Sequence, residues 1–249
     1  MTETAVITGG AGGLGQAFAR ALEAKGYRVV PVDISGTERV LDVTDAAACR
    51  ALAEELRPSV WINNAGVTGA GALLERSDAD VERVVAVNLL GVIHGTRAAA
   101  TTMLPEGRGR ILNVASLAGW APVPHIAVYS ATKNGVRAFS LAAEAEMRHT
   151  PVRIRCLLPD GIRTPMVDVT DARHVMSFTG SRLLEPDEVA EAGLKLLFGN
   201  RLLASVPHHR GATVRLLGLF PSVGSRLQDQ IEAKARRNQQ KAQESQGAP

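Results

Sequence analysis

The sequence predicts an α/β protein in which one doubly wound parallel sheet carries helices on both faces. Three observations lead to this prediction. Segments with strand character alternate with longer helical segments, an order typical of parallel sheets covered on both sides. A glycine cluster separates the first predicted strand from the first predicted helix, and 249 residues with 45% hydrophobic content can form one large domain.

Apolar runs and helical periodicity place the elements in order along the chain. The predicted strands are Thr4–Thr8, Val29–Val32, Arg39–Leu41, Val60–Asn63, Arg110–Ala115, Arg153–Leu158 and Leu202–Val206. The predicted helices are Leu14–Leu22, Ala46–Leu56, Asp78–Ala100, Ile126–Arg148, Pro186–Gly199 and Ser222–Arg237. Too few residues separate Asp33 from Arg39 for a crossover helix, so that connection is expected to be irregular.

Regular patterning weakens after Pro159. Residues 160–185 have no clear period and form a candidate lid. We expect a catalytic and dinucleotide-binding domain over residues 1–221, then a basic amphipathic helix and a disordered polar tail over 222–249.

Composition and charge exclude several classes of protein. Only 4% of residues are aromatic, which disfavours a nucleic-acid platform, and two distant cysteines, Cys49 and Cys156, do not suggest a metal site. With no apparent leader or spanning segment, a cytoplasmic protein is expected. The last 49 residues carry eight Lys or Arg against three acids, so residues 210–240 are a candidate for contact with a membrane surface or a partner subunit.

A glycine-rich turn follows the first predicted strand. Residues Thr8 to Gly15 (TGGAGGLG) would let the chain turn tightly and let a pyrophosphate approach free N–H groups at the helix N-terminus. Asp33, at the end of the second strand, is placed to accept both hydroxyls of an adenine ribose and to repel a 2′-phosphate. The alternatives are a glycine loop that holds no ligand and an Asp33 that only forms a turn.

Several motifs together carry a family resemblance. They are the Thr8–Gly15 pattern Thr-Gly-x-x-x-Gly-x-Gly, Asn63-Asn64-Ala65-Gly66, Asn88, Ser116 and Tyr129-x-x-x-Lys133. In this order and spacing they resemble the short-chain dehydrogenase/reductase superfamily over roughly residues 4–200. The resemblance implies a Rossmann-type fold, a nicotinamide cofactor, and hydride transfer between an alcohol and a carbonyl.

The catalytic chemistry can also be argued from the residue types. An alcohol that loses a hydride needs a base for its hydroxyl proton, and a tyrosine with a pKa of about 10 serves only if a cation stabilises its phenolate. Tyr129 and Lys133 share a helix face, so Lys133 is expected to supply that cation. Ser116 is expected to hydrogen-bond the substrate oxygen. The resemblance implies that Asn88 orders a water molecule, which links Lys133 to solvent. The alternative for Asn88 is an amide that only packs the helix, and the alternative for Tyr129 is an ordinary core tyrosine.

The resemblance further implies which residues contact the cofactor. They are Thr8, Gly9, Gly13, Leu14, Gly15, Asp33, Asp42, Val43, Asn64, Ala65, Gly66, Tyr129, Lys133, Pro159, Ile162 and Thr164. The alternative interpretation of Asp42 is a helix cap. Asp160 departs from the family pattern, in which glycine commonly follows the proline. Its carboxylate is expected either to face the substrate or to pair with Arg163.

The candidate substrate pocket is apolar in composition. Its predicted residues are Ser116, Trp120, His125, Asp160, Met166 and Phe178. His125 is either a surface or capping group or a second acid.

These observations favour an NAD-dependent oxidoreductase acting on a fairly apolar secondary alcohol or ketone. NAD is preferred because Asp33 is present and neither residues 10–12 nor Ile34 supplies a cation for a 2′-phosphate. The alternatives are an NADP-dependent ketoreductase and a non-catalytic dinucleotide-binding sensor or scaffold. The resemblance implies a homodimer; the lack of the family's common Asp-Gly-Gly ending leaves the usual tetramer in doubt.

Overall fold

The computed structural model describes residues 2–121, 123–164 and 182–219, without the side chain of Leu217. Its described part contains a seven-stranded, wholly parallel sheet. The strands are β1 (Thr4–Thr8), β2 (Arg28–Asp33), β3 (Arg39–Val40), β4 (Val60–Asn63), β5 (Gly109–Val114), β6 (Val152–Pro159) and β7 (Leu203–Val206). Their spatial order is β3-β2-β1-β4-β5-β6-β7. The prediction of a doubly wound α/β fold is confirmed.

Helices cover both faces of this sheet. They are α1 (Gly13–Glu23), α2 (Ala46–Leu56), α3 (Asp78–Val85), α4 (Gly91–Met103), α5 (Ala127–Glu146), α6 (Pro186–Phe198) and α7 (His208–Gly218). Buried residues of α1 and α6 pack on one face in one apolar cluster, and those of α2 and α4 pack on the other face in a second. A smaller cluster joins α5 to β6. Burial on both faces explains the nearly continuous apolar strands.

The strand order fixes where a ligand can bind. The chain leaves β1 toward β2 on one side, whereas β4 pairs with β1 on the other side. Ligands of doubly wound sheets bind at the carboxyl ends of the strands where this direction switches. The segments after β1, β4, β5 and β6 therefore define the candidate site.

Local capping explains where several helices begin. The Asp45 carboxylate accepts hydrogen bonds from the N–H groups of Ala47 and Ala48, at 2.8 and 3.0 Å, and so caps α2. Ser77 accepts from the N–H of Asp80 and caps α3. Pro186 occupies the first turn of α6, as predicted.

Two segments differ from the predicted elements. The predicted helix Asp78–Ala100 extends to Met103 and contains a π-helical segment, Ala86–Leu90, which periodicity alone does not show. No element was predicted for the basic segment after β7, yet it forms α7. The predicted helix Ser222–Arg237, the tail after it, and most of the lid lie outside the described residues.

One helical stretch of the described chain, Asp78–Met103, is long and apolar enough by length and composition to span a membrane. Half of its most apolar window is buried inside the fold. The α4 part of the stretch packs on the sheet, so burial in the core accounts for its apolar character.

Candidate active site

The glycine turn after β1 is shaped by close backbone approach. A Cβ on Gly15 would lie 2.2 Å from the carbonyl oxygen of Gly9, and Gly9 itself has a φ of +66°. Helix α1 begins at Gly13 with no side-chain cap and no acid in its first turn. Its first N–H groups are thus available to an anion, as a pyrophosphate site requires.

The segment after β4 is joined to this turn by hydrogen bonds. The Thr8 hydroxyl oxygen accepts from the N–H groups of Asn64 and Ala65, at 3.0 and 3.1 Å. The Asn64 side-chain amide donates to the carbonyl oxygens of Thr8 and Gly9, both at 3.1 Å. The two predicted cofactor segments therefore form one rigid wall.

Asp33 lies at the carboxyl end of β2, beside the glycine turn. Its carboxylate accepts from the N–H of Ala11 at 3.1 Å and from that of Ile34 at 2.8 Å. An anchored carboxylate at this edge fits a ribose hydroxyl pair. Asp42 differs, because one of its oxygens accepts both the N–H and the hydroxyl of Thr44 in a local turn. The helix cap that was its alternative interpretation is formed by Asp45 instead, and the contact of Asp42 with the cofactor stays a prediction.

Asn88 lies in the π-helical segment and is fully buried. Its side-chain oxygen accepts from the N–H of Val67 and its amide donates to the Val67 carbonyl, both at 2.8 Å. A Cβ on Gly66 would lie 3.2 Å from the Asn88 oxygen and 3.7 Å from Lys133 Nζ. The fold therefore brings Asn88 and Lys133 together around Gly66. It also gives Asn88 a structural task, since it holds the chain after β4.

Ser116 follows β5, and its hydroxyl lies near the phenol of Tyr129, which belongs to α5. Burial raises the pKa of the Tyr129 phenol above its usual value, and the nearby Ser116 hydroxyl lowers it in part. Lys133 Nζ lies 5.6 Å from the centre of the Tyr129 ring and donates to the carbonyl of Val114 at 3.0 Å. Burial lowers the pKa of Lys133 to about 8.

The expected stabilisation of a Tyr129 phenolate by Lys133 stays a prediction. Among the influences on the pKa of this phenol, burial is the largest and raises it, and Ser116 lowers it. The Lys133 ammonium lies over the Tyr129 ring and donates a hydrogen bond to the carbonyl of Val114.

The segment after β6 reaches back to the glycine turn. A Cβ on Gly13 would lie 3.4 Å from the Thr164 methyl group, and Ile162 bridges to Leu184 in parallel register. Pro159 is the last residue of β6. Of the three predicted cofactor residues of this segment, Pro159, Ile162 and Thr164, the last lies beside the glycine turn.

Asp160 pairs with a residue that the sequence did not single out. Its carboxylate lies 2.5 Å from Nε of Arg210 on α7. The expected partner, Arg163, pairs instead with Glu185 at 2.9 Å. Arg210 was missed because its only sequence signal was a basic segment, and no periodicity relates residues 50 positions apart.

The predicted substrate-pocket residues are only partly described. The guanidinium groups of Arg137 and Arg215 lie 4.0 and 5.3 Å from the centre of the Trp120 ring, and Trp120 lines a cavity of about 350 Å³ beside α7. His125 precedes α5 with a φ of +64°, and its carbonyl accepts from Gly71 N–H. Met166 and Phe178 lie outside the described residues, so the pocket stays a prediction.

Comparison with known proteins assigns the family. The short chain dehydrogenase family model matches residues 3–174, and the chain belongs to this family of oxidoreductases. It is 30% identical over 208 residues to a 3-alpha-(or 20-beta)-hydroxysteroid dehydrogenase of Mycobacterium bovis, covering 76% of this chain and 79% of the relative.

Solved structures agree with this family assignment. A short chain dehydrogenase/reductase from Burkholderia phymatum in complex with NAD has a TM-score of 0.80 and 26% identity, with 90% of this chain and 95% of that one covered. A short chain dehydrogenase from Burkholderia cenocepacia in complex with NADP has a TM-score of 0.77 and 26% identity, covering 91% and 99%. Both nicotinamide dinucleotides thus occur among similar folds.

Proposed function

We propose that this protein is an NAD-dependent oxidoreductase that interconverts a fairly apolar secondary alcohol and its ketone, with Tyr129 as the general acid and base. The observation that carries the proposal is the convergence of three side chains, with Lys133 Nζ 5.6 Å from the centre of the Tyr129 ring and the Ser116 hydroxyl near the phenol. These groups lie at the strand ends where the glycine turn fits a dinucleotide. The bound dinucleotide would accept or donate the hydride.

The chain's own residues would move the proton and hold the substrate oxygen. In reduction, the Tyr129 phenol donates its proton to the carbonyl oxygen as the carbon gains the hydride, and in oxidation the phenolate takes the hydroxyl proton back. Ser116 donates a hydrogen bond to the same oxygen and stabilises the charge that develops there. Lys133, near Gly66 and Asn88, lies where it would contact the nicotinamide ribose and return a proton to Tyr129.

NAD is proposed over NADP because of the charge near Asp33. A 2′-phosphate would meet the anchored carboxylate, and Ile34, which is 68% exposed, offers it no cation. The NADP complex of a similar structure keeps an NADP-dependent ketoreductase as the second candidate. An intact set of proton-transfer residues disfavours a non-catalytic sensor.

The test uses a panel of secondary alcohols and ketones, with the nicotinamide absorbance as the measurement. Tyr129→Phe removes the ionisable oxygen, and turnover should fall by about 10²–10⁴-fold while cofactor affinity stays nearly unchanged. The chain has a matched control, because Tyr27 is its only other tyrosine and lies beside Phe198, remote from the cleft. Tyr27→Phe should keep wild-type turnover; a Tyr129→Phe enzyme within about tenfold of wild type would exclude the proposed role.

A further inference from the structure

The carboxylate of Asp160 is buried where the chain leaves β6, and Arg210 neutralises it. The Asp160 side chain is 7% exposed and that of Arg210 is 28% exposed, with 2.5 Å between Nε and the nearer carboxylate oxygen. The backbone N–H of Asp160 also donates to the carbonyl of Val206 at 2.8 Å. Asp160 is therefore held at two points, by the last strand and by the helix after it.

The position of Arg210 is itself fixed by close packing. Helix α7 begins directly after β7, and a Cβ on the next residue, Gly211, would lie 2.1 Å from Cβ of Ser205. The N–H of Gly211 donates to the carbonyl of Pro207. The helix thus lies tightly against the edge strand, and the guanidinium projects from a rigid element.

After Asp160, a short segment joined by hydrogen bonds leads to Thr164, which lies beside the glycine turn. The other Asp160 oxygen accepts from the N–H of Gly161 at 2.9 Å. Gly161 and Arg163 form backbone hydrogen bonds with Leu184, and these bonds hold residues 161–163 beside Leu184. One residue further on, the Thr164 methyl approaches Gly13. Displacing Asp160 would therefore displace the residues that face the dinucleotide.

We propose that Arg210 is a positioning residue for the cofactor: through its ion pair with Asp160, it holds the segment Pro159–Thr164 against the nicotinamide end of the dinucleotide site. The proposal rests on the proposed function, since it assumes that a nicotinamide dinucleotide binds there. It assigns a role to α7, which no predicted motif included, and to the carboxylate where the family commonly has glycine.

The physical reason is the cost of a buried charge. Burial raises the pKa of Asp160, and Arg210 counteracts this rise. Without the guanidinium, the carboxyl group must take up a proton or move toward water, and either change releases the segment from α7. Loss of the cation alone should therefore be more harmful than loss of both charges.

The experiment compares variants of the full-length protein. Arg210→Met removes the cation, Arg210→Lys keeps it, and Asp160→Asn combined with Arg210→Met removes both charges. Arg20→Met is the control, because it breaks the exposed pair of Arg20 with Asp187 and touches no cofactor segment. For each protein, NADH and NADPH binding is measured by fluorescence titration, together with kcat, KM for the cofactor, and thermal stability.

Arg210→Met should weaken binding of the preferred cofactor by about tenfold and raise its KM in proportion, while kcat changes by less than about threefold. Arg210→Lys should restore most of the affinity, and the double variant should bind more tightly than Arg210→Met. If the role of Arg210 is purely structural, Arg210→Met should instead lower thermal stability and kcat, and Arg210→Lys should not restore them. That result would overturn the proposal. An Arg210→Met protein whose affinity for the cofactor stays within about twofold of a measurable wild-type affinity would also overturn the proposal. A wild type that binds neither nucleotide refutes the proposed function itself.

Discussion

Lys133 is a cation held in an almost fully buried position, and its chemistry follows from that burial. Its pKa falls from 10.5 to about 8 because desolvation disfavours the charged form. An unfolded chain keeps the Lys133 proton up to about pH 10.5, whereas the folded chain releases it from about pH 8 upward. Between these values the unfolded state binds more protons, so the free energy of unfolding should rise with pH.

This pH dependence is the first prediction at the scale of single residues. Between about pH 8 and pH 10, the Lys133 contribution to the free energy of unfolding should increase by about 2 kcal/mol. Urea unfolding of the wild type and of Lys133→Met across this range measures it, since the variant should lack that increase. The difference between the two proteins cancels the titration of other groups. Parallel curves would mean that Lys133 keeps an ordinary pKa in the folded chain.

The second prediction at this scale concerns Asp33. Replacing it with Ala removes the charged acceptor of the ribose hydroxyls, and a hydrogen bond to a charged group contributes about 1.5–3 kcal/mol. NAD affinity should therefore fall by about 10–100-fold, while NADP gains because the repulsion is lost. The measurement is the ratio of kcat/KM for the two cofactors. An unchanged ratio for Asp33→Ala would show that another group discriminates between the two cofactors.

At the scale of elements, the start of α1 depends on a glycine that periodicity treats as an ordinary helical position. The close approach of Gly15 to the Gly9 carbonyl leaves no room for a methyl group. Gly15→Ala should force the turn open and lower the melting temperature by about 3–10 °C, from an overpacking cost of about 1–3 kcal/mol. At Gly13 the same methyl group would make an ordinary 3.4 Å contact, so Gly13→Ala should melt within about 2 °C of wild type. Equal melting temperatures for the two variants would contradict this account of the turn.

The long helical stretch Asp78–Met103 contains a structural feature that its sequence does not predict. Its apolar spacing predicts one continuous helix, and the structure inserts the π-helical segment that contains Asn88. That insertion directs the Asn88 amide to Val67, 21 residues earlier in the chain. No local signal distinguishes a π-helical segment from an α-helical one, because the deciding bonds come from another part of the fold.

For the whole molecule, the charge distribution leads to a prediction about the C-terminal segment. The last 49 residues carry a net charge of +5 and the first 200 carry −2. We predict that deleting residues 222–249 changes oligomer mass or binding to anionic vesicles more than it changes turnover, because the proposed catalytic residues end well before them. Light scattering, vesicle sedimentation and a turnover assay test this. A truncated protein with unchanged mass and vesicle binding but little activity would instead place this segment in the active site.

The sequence by itself determined the fold class and supplied the members of the proposed catalytic set. Alternating strands and helices are local patterns, and a doubly wound sheet is the arrangement that buries both of their apolar faces. The sequence equally showed the order of these residues, because each one follows a predicted strand or lies on a predicted helix. They are the Thr8–Gly15 turn, Asn88, Ser116, Tyr129 and Lys133.

Only the tertiary structure decided how these groups act on one another. It buried Tyr129 so that desolvation raises the pKa of its phenol, used Asn88 to hold the chain at Val67, and gave Asp160 a partner 50 residues away. Desolvation and ion pairing depend on which atoms surround a group in space. Those neighbours come from distant strands and helices, so spacing along the chain could not reveal them.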